Sequence, residues 1–274
     1  MDDYREVNRA LWDERAPAHA ASADYGMELF VSDPTRLSDV VRFDLPRLGD
    51  VSGLRGIHLQ CHIGTDTLSL HRLGAAMSGL DFSGVSLDQA RSLAERAGAN
   101  IEYRQGDVYA AAEIFEPGTF DLVFTGIGAL CWLPDIQRWA GVVAALLKPG
   151  GRFFIREGHP MMWALGDPRP DGMLAVEFPY FETTDPTVWD EPGTYISTDV
   201  EFSNTRSLEW NHGLGEIIQA LISAGISINA VEEHASVPWE SRPGEMVLGD
   251  DGEWRMREHP DRLPLSYTLQ GTRI

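Results

Sequence analysis

A strand followed by a tight turn and a helix begins at Gly56 and constrains what the rest of the chain can form. An apolar strand over 57–63 enters the turn, Gly64 lets the backbone reverse, and a helix over 65–73 leaves it. About twenty residues further on, a second apolar segment ends at Asp81. A carboxylate at that distance is placed to accept hydrogen bonds from a ribose diol. The two features predict the nucleoside-binding half of an α/β enzyme.

Strand-like and helix-like segments alternate along most of the chain, which is typical of a sheet with helices on both faces. Apolar runs predict strands over 57–63, 75–82, 101–104, 120–124 and 152–156. Helical periodicity predicts helices over 65–73, 86–98 and 136–147, and Ser86 is expected to open the second with a capping box. A helix over 214–224, strands over 226–234 and 263–269, and a polar loop over 250–261 complete the pattern. The fold class is therefore α/β, with a Rossmann-like, doubly wound parallel sheet.

The segment before the first strand, residues 1–50, is expected to form an N-terminal helical cap. Apolar side chains recur at helical spacing over 4–20, and an approach loop over 44–52 leads into the sheet. The helix either covers the crevice or merely packs on the body of the protein, and the sequence favours the two interpretations about equally. Within this segment we expect Trp12 and Tyr25 to contact the substrate.

A second segment outside the alternating pattern covers residues 161–206. It contains nine acidic and two basic residues, five prolines and seven aromatic residues. This composition is too apolar for a disordered linker. Long insertions at the mouth of a sheet usually cover a substrate. We therefore predict a substrate lid inserted after the fifth strand, with one strand of a small hairpin over 195–202.

The charge balance limits the possible partners. The 274 residues include 42 acidic and 22 basic side chains, a formal charge of −20 that repels polyanions. We expect neither nucleic acid nor an anionic membrane as a partner. Residues 1–6 lack the features of a signal peptide, and no apolar run reaches the roughly 20 residues of a spanning helix. Together with two cysteines, Cys61 and Cys131, that suit reduced thiols, this predicts a cytoplasmic protein.

Several motifs in a fixed order resemble those of the class I S-adenosylmethionine-dependent methyltransferases, over roughly residues 50–274. Besides the turn and Asp81, they are Gly106-Asp107-Val108, Phe120-Asp121-Leu122-Val123 and Leu146-Leu147-Lys148-Pro149-Gly150-Gly151-Arg152. The residues around the turn, 59–68, resemble those of a bacterial subgroup of methyltransferases that act on small molecules. The resemblance implies a methyltransferase domain over 51–274, a seven-stranded sheet whose last strand is antiparallel, and S-adenosylmethionine as the cofactor. It implies methyl transfer to an oxygen or nitrogen atom of a small-molecule acceptor.

The same resemblance implies a set of cofactor-binding residues. Asp81 would bind the ribose hydroxyls and Asp107 the adenine amino group, although either carboxylate could instead cap a turn or a helix. The other residues implied at the cofactor are Gln60, Cys61, His62, Gly64, Phe82, Val108, Gly126 and Ile127. The first motif departs from the family pattern, which has an acidic residue at the position of His58 and glycines at those of Gln60 and His62.

Methyl transfer from a sulfonium depends mainly on positioning, and it needs a base only when the acceptor carries a proton. His159, after the fifth strand, is the first candidate for that base, although it could instead only cap or shape the loop before Pro160. His62 and His212 are further candidates. Trp132 could form a wall of the substrate or sulfonium site, although packing beside Leu133 is the commoner role of such a residue.

Other interpretations of the same residues are less favoured. His58, Cys61 and His62 invite a metal site, but side chains alternate along a strand and no second ligand pair follows, so we expect no metal. A nicotinamide-dependent oxidoreductase would need glycines where Gln60 and His62 stand. A non-catalytic module that binds S-adenosylmethionine remains an alternative, because the first motif is altered.

Overall fold

The computed structural model describes residues 3–274, so the first two residues of the predicted cap lie outside it. In chain order the strands are β1 (Arg55–Leu59), β2 (Ala76–Asp81), β3 (Glu102–Gln105), β4 (Phe120–Thr125), β5 (Leu147–Gly158), β6 (Thr187–Asp190), β7 (Arg206–Glu209), β8 (Ile226–His234), β9 (Met246–Leu248), β10 (Trp254–Met256) and β11 (Ser266–Arg273). The α-helices are α1 (Tyr4–Ala21), α2 (Met27–Ser32), α3 (Asp39–Leu48), α4 (Thr65–Arg72), α5 (Gly84–Arg96), α6 (Ala111–Ile114), α7 (Ile136–Leu146), α8 (Pro160–Trp163) and α9 (Leu214–Ser223).

Seven of these strands form one sheet in the order β3-β2-β1-β4-β5-β11-β8. The first five run parallel, and β11 pairs antiparallel with both β5 and β8. The predicted seven-stranded, doubly wound sheet with an antiparallel last strand is therefore confirmed. Strands β1 and β4 are neighbours, but the chain continues from β1 to β2 on one side and from β4 to β5 on the other. The two connections therefore diverge, and a crevice opens at the carboxyl ends of β1, β2 and β4.

The central strands are buried on both faces, as their apolar sequences predict. Alternate residues of β4 contribute to two clusters: Val123 packs with α7 and α9, whereas Leu122 and Phe124 pack with α3 and α4. Trp139 and Phe153 are at most 1% exposed in the first cluster. Burying a side chain of this size stabilises the fold by about 1.5–3 kcal/mol or more. The two clusters hold the strand ends, and with them the crevice, in a fixed arrangement.

Helix α1 lies across the crevice and is tied to the small β6–β7 sheet. The Asn8 side chain donates to the Leu208 carbonyl at 2.8 Å and accepts from the Leu208 amide at 2.9 Å. The Arg15 guanidinium donates to the carbonyls of Glu191, Gly193 and Asn204. Both side chains are buried. Helix α1 therefore borders the crevice, and the inserted segment after β5 is docked on α1.

Several local predictions are wrong. The strand predicted over 195–202 is irregular, and the hairpin is formed by β6 and β7 on either side of it. The approach loop predicted over 44–52 is instead mostly the end of α3, whose Pro46 lies in the last turn of the helix. The polar loop predicted over 250–261 contains β10, which pairs with β9. Each of these elements is short and gains its partner only through the tertiary fold.

Two element ends also differ from the sequence prediction. The strand predicted to reach Ile63 stops at Leu59, because the turn begins at Gln60. Helix α5 begins at Gly84, and its N-cap is Ser83, whose hydroxyl accepts from the Ser86 amide at 3.0 Å. Within residues 3–274 no helix is long and apolar enough to cross a membrane.

Gly64 should be the least replaceable glycine of the crevice. Its φ is +81°, and an added Cβ would lie 2.7 Å from both the Ala90 Cβ and the Tyr103 hydroxyl. Gly98 has a similar φ of +67° but no atom within 4 Å of an added Cβ. We expect Gly98→Ala to lower the free energy of unfolding by about 1 kcal/mol, and Gly64→Ala by about 1–3 kcal/mol more, because only the latter overpacks. Urea denaturation measures both, and equal losses would contradict the packing explanation.

Candidate active site

The turn after β1 adopts left-handed backbone conformations at two residues that are not glycine. Gln60 has φ +57° and His62 has φ +47°, a conformation that costs about 1–2 kcal/mol for such residues. Hydrogen bonds offset this cost: the His62 amide donates to Asp81 Oδ2 at 2.8 Å, and Gln60 Nε2 donates to the Ala129 carbonyl at 2.8 Å. Side chains therefore enter the site where the family pattern has glycines. Gln60 Oε1 is buried there without a hydrogen-bond partner.

The Asp81 carboxylate joins the turn to the end of β2. Its Oδ2 accepts from His62, and its Oδ1 accepts from the Ser83 amide at 2.9 Å. The side chain is 6% exposed, and this burial raises the pKa of Asp81 to about 6. A carboxylate can accept about four hydrogen bonds. Asp81 therefore caps the turn and still has acceptor capacity for a ligand at the crevice.

A cleft lies at the carboxyl ends of β1, β2 and β3, between the sheet and α1. It is lined by Tyr4, Arg5, Asn8, Gln60, Leu80, Asp81, Phe82, Gly106, Asp107, Val108, Trp132 and Leu133. Asp107 Oδ1 accepts from the Tyr109 amide at 2.7 Å, and its other oxygen forms an ion pair with Arg5. Arg5 thus covers the residue that the resemblance assigns to adenine. A ligand that reaches Asp107 has to displace the Arg5 guanidinium.

The other cofactor residues implied by the resemblance lie around the same turn. The Cys61 side chain packs against α5 and Tyr103, and a Cβ added at Gly64 would point the same way, so only the backbone of these two residues is available to a ligand. An added Cβ at Gly126 would lie 3.2 Å from His58 Nε2 and from Asp66 Oδ2. Ile127 packs against the apolar cluster that contains Met162 and Leu265.

Glu157 holds the loop after β4, a role that the sequence analysis missed. Its Oε1 accepts from the amides of Gly128 and Gly158, at 2.5 and 2.6 Å, and its Oε2 from those of Ala129 and Leu130, at 2.8 and 2.9 Å. Burial raises the pKa of this carboxyl group. The Trp132 indole donates to the Gly128 carbonyl at 2.8 Å. A carboxylate that ends a buried strand beside a glycine-rich loop is the sequence signal that could have identified Glu157.

Five polar residues from the turn, the cap and the inserted segment meet next to the cleft, and we refer to them as the histidine cluster: His19, Tyr25, His62, Thr194 and Tyr195. His19 Nδ1 lies 3.0 Å from His62 Nε2 and 3.2 Å from the Tyr195 hydroxyl. His19 Nε2 lies 2.8 Å from the Thr194 hydroxyl, and the hydroxyls of Tyr25 and Tyr195 are hydrogen-bonded. The sequence analysis identified Tyr25 and His62 but missed the other three. His19 follows Trp12 by seven residues on one face of the predicted helix, which was the available signal.

Two tryptophans connect the histidine cluster to the cleft. The Trp12 ring lies edge-on to His62, with centroids 4.9 Å apart, and edge-on to Trp132, with centroids 5.2 Å apart. Trp132 also lines the cleft. The three residues proposed from sequence at the substrate, Trp12, Tyr25 and Trp132, therefore lie together, and they stay predictions as substrate contacts.

Burial keeps the two histidines of the cluster neutral near pH 7. It lowers the pKa of His19 to about 4, with a smaller contribution from the Arg15 charge, and it lowers the pKa of His62 together with the proximity of His19. A neutral imidazole has one nitrogen that accepts a proton or a hydrogen bond. Near pH 7 the cluster therefore presents neutral rings whose unprotonated nitrogens can accept a hydrogen bond from a bound group.

His159 and His212, the other candidate bases from sequence, lie elsewhere. His159 Nδ1 accepts from the Met161 amide at 3.0 Å, and Nε2 is 2.9 Å from Glu233 Oε1. His212 Nε2 donates to the Leu133 carbonyl at 2.8 Å, and Nδ1 is 2.9 Å from Glu182 Oε2. Across the described chain neither ring contacts the histidine cluster. Both rings already use both nitrogens in contacts within the protein.

Comparison with known proteins identifies the central part of the chain. Residues 57–151 match the family model of a methyltransferase domain. The chain is 25% identical over 211 residues to the methyltransferase phqN of Penicillium fellutanum, a match that covers 75% of the chain and 57% of the relative. It is 30% identical over 157 residues to a ubiquinone biosynthesis O-methyltransferase of Xanthomonas euvesicatoria, covering 57% of the chain and 59% of the relative. The matches thus span somewhat more than half the length of each relative.

A solved structure has the same fold. An S-adenosylmethionine-dependent methyltransferase from Mesorhizobium loti superimposes with a TM-score of 0.60 at 24% identity, covering 85% of this chain and 95% of that one. Residues 57–151 therefore match a methyltransferase domain, and the chain as a whole has the fold of that S-adenosylmethionine-dependent methyltransferase. This confirms the resemblance that the sequence motifs indicated.

Glu157→Gln should loosen the loop after β4. The substituted amide nitrogen faces backbone N–H groups and cannot accept from them, so we expect the free energy of unfolding to fall by about 3 kcal/mol. Amide hydrogen exchange at residues 128–130 should accelerate in parallel. Glu233→Gln is the matched control, because Glu233 is 53% exposed and bonds only His159. Unchanged exchange at 128–130 in Glu157→Gln would show that other contacts hold the loop.

His19→Gln should alter the acid stability of the protein. Folding lowers the pKa of His19 from 6.5 to about 4, so its unfolded form binds a proton that the folded form excludes. The wild type therefore loses stability, relative to the variant, as the pH falls from about 6.5 to about 4, by up to about 3 kcal/mol. Urea denaturation across this range measures the difference. His259→Asn, at an exposed position, is the control, and parallel curves for wild type and His19→Gln would contradict the shift.

Proposed function

We propose that the protein binds S-adenosylmethionine in the cleft and transfers its methyl group to an oxygen or nitrogen atom of a small molecule. The observation that carries this proposal is the juxtaposition of a cleft at the strand ends, lined by Asp81, Phe82 and Asp107, with a cluster of neutral histidines whose ring nitrogens can accept a hydrogen bond. When bound, the cofactor supplies an activated methyl group on a sulfonium. The protein has to hold the acceptor in line and exclude water.

The residues of the cleft fit such a cofactor. Asp81 has free acceptor capacity for ribose hydroxyls, and Phe82 and Val108 offer apolar contacts to adenine. Asp107 accepts from the adenine amino group once Arg5 has moved. The buried and unpartnered Gln60 Oε1 accepts from an ammonium group such as that of the methionine part. These four assignments rest on the cleft geometry and on the family motifs together.

The docking of the inserted segment on α1 supports a division of the chain into functional parts. We propose residues 1–50 as a helical cap and 161–206 as a substrate lid on a methyltransferase domain over 51–274. Support comes from α1, which lies over the cleft, and from Thr194 and Tyr195, which reach the histidine cluster from the inserted segment. In this division the acceptor site is built jointly by the cap, the lid and the turn after β1.

One alternative keeps cofactor binding but not turnover. Side chains in the first turn and the Arg5–Asp107 pair across the cleft are the observations that favour a non-catalytic binding module. The pair of neutral histidines, His19 and His62, favours an enzyme, because their ring nitrogens can accept from a protonated acceptor group. A nicotinamide oxidoreductase lacks support, since the relatives are methyltransferases. Turnover on a panel of hydroxyl and amine acceptors separates the first two possibilities.

Calorimetry with S-adenosylhomocysteine tests the cofactor site. Asp107→Ala should weaken the binding of S-adenosylhomocysteine about tenfold, because it removes one hydrogen bond worth about 1.4 kcal/mol. Arg5→Ala should bind at least as tightly as the wild type, because it frees the Asp107 carboxylate. Asp88→Ala, at an exposed position on α5, is the matched control. If the wild type binds no S-adenosylhomocysteine below millimolar concentration, or binds NAD instead, the proposed function is wrong.

A further inference from the structure

The Tyr195 side chain occupies the histidine cluster although it belongs to the inserted segment. Its ring lies edge-on to His19, with centroids 4.8 Å apart, and its hydroxyl is 3.2 Å from His19 Nδ1 and bonded to the Tyr25 hydroxyl. Nevertheless the residue is 51% exposed. A half-exposed phenol that reaches two buried polar groups is a ligand-like contact made by the protein itself.

The segment around Tyr195 does not depend on this contact. Arg15 holds the carbonyls of Glu191 and Gly193 before it, the Ser197 amide donates to Asp24 Oδ2 at 3.0 Å after it, and Thr194 bonds His19. The Tyr195 ring can therefore leave the cluster by rotation about its side-chain bonds while the backbone stays docked. Its departure opens a space beside His19 Nδ1, which keeps its 3.0 Å contact with His62 Nε2, and it removes the Tyr195 partner of the Tyr25 hydroxyl.

We propose that the methyl acceptor is an aryl hydroxyl, that its oxygen takes the position of the Tyr195 hydroxyl, and that His19 accepts its proton. This inference rests on the proposed function and names the acceptor class of the same site. The surrounding surfaces suit an aromatic ring: Tyr25 stacks on His19 with centroids 5.7 Å apart, and Trp12 lies edge-on to it at 5.6 Å.

The reaction needs no reactant other than the acceptor and the methyl donor. The aryl oxygen forms a bond to the methyl carbon, the carbon–sulfur bond breaks, and its electron pair remains on the neutral sulfur. The hydroxyl proton moves to His19 Nδ1, so the positive charge passes from the sulfonium to the imidazolium. The step requires the tautomers in which His19 Nε2–H donates to the Thr194 hydroxyl and His62 Nδ1–H donates to the Ser86 hydroxyl. The Nδ1–H that forms on His19 then donates to His62 Nε2, so the two rings share the new charge.

The charged and titratable groups around His19 define how the step depends on pH. Arg15 on α1 disfavours the imidazolium, and His62 faces His19 from the turn after β1. Tyr25 and Tyr195 face it from the loop after α1 and from the inserted segment, and Asp24 and Asp66 raise the pKa values of both phenols. Because His19 is uncharged above about pH 4, the base is available over the whole neutral range.

Binding of 4-nitrophenol to the protein loaded with S-adenosylhomocysteine tests the position of the acceptor. Tyr195→Phe removes the competing hydroxyl and keeps the ring, so we expect about tenfold tighter binding by difference absorbance, the value of one hydrogen bond. Tyr180→Phe, a tyrosine of the same segment outside the cluster, should bind like the wild type. 4-Nitroaniline should bind the wild type at least about tenfold more weakly than 4-nitrophenol. Equal or weaker phenol binding in Tyr195→Phe would overturn the assignment.

The role of His19 is tested by the pH dependence of single-turnover methylation of 4-nitrophenol. His19→Gln keeps a hydrogen-bonding side chain but cannot accept the proton, so the rate should fall about 10² to 10³-fold at a pH where the phenol is protonated. The rate should recover as the pH rises and the phenol ionises, because a phenolate needs no base. His259→Asn should follow the wild-type profile. A His19→Gln profile parallel to the wild type would leave His19 a structural residue and overturn the inference.

Two outcomes separate this inference from the proposed function. If S-adenosylhomocysteine fails to bind, the proposed function itself is wrong. If it binds but 4-nitrophenol affinity is the same in the wild type, Tyr195→Phe and Tyr180→Phe, the cofactor site stands and the aryl hydroxyl site is wrong. Should His19→Gln fold poorly, His19→Asn gives the same pH test with a shorter side chain.

Discussion

The arrangement of the site depends on one buried carboxylate. Asp81, at the end of β2, accepts from the amides of His62 and Ser83 and so fixes both the turn after β1 and the start of α5. Without the Asp81–His62 bond, the left-handed conformation of His62 would be unfavourable. The His62 ring in turn meets His19 of the cap helix at 3.0 Å. The cleft at the strand ends and the histidine cluster are therefore both positioned by the same group.

Helix α1 reaches both the cleft and the histidine cluster. Its 18 residues span about 27 Å, from Arg5 over Asp107 to His19 in the histidine cluster. Between them Glu14 and Arg15 bond the backbone of the segment between β6 and β7. The Arg5 contact with Asp107 and the His19 contact with His62 are therefore made from the two ends of one helix.

Much of the fold was predictable because its strands and helices are long and strongly patterned. The parallel strands, α7 and α9 follow directly from apolar runs and helical spacing, and the motifs at Asp81 and Asp107 indicated the crevice. Individual elements were predicted wrongly where the local sequence favours one conformation and contacts in the folded protein favour another. The aromatic, acidic segment over 195–202 has strand-like composition, but the Ser197 amide donates to Asp24 and the amides of Ser203 and Asn204 just beyond it donate to Glu14 instead of to another strand. Ser86 satisfies a capping pattern, yet Ser83 lies at the end of β2 and caps α5 first.

The sequence by itself determined the sheet, its class and the carboxylates at the strand ends beside the cleft, since these follow from periodicity and from residues at strand ends. Only the tertiary structure decided which side chains meet in the histidine cluster. His19, His62 and Tyr195 lie far apart in the chain, and their hydrogen bonds exist because the cap and the inserted segment fold back over one turn. Contacts between residues so far apart in the chain produce no periodic pattern in the sequence. For the same reason His159 was selected from the sequence as a candidate base, because it follows a strand. The position of His19 beside His62 is visible only in the structure, where α1 packs against the turn.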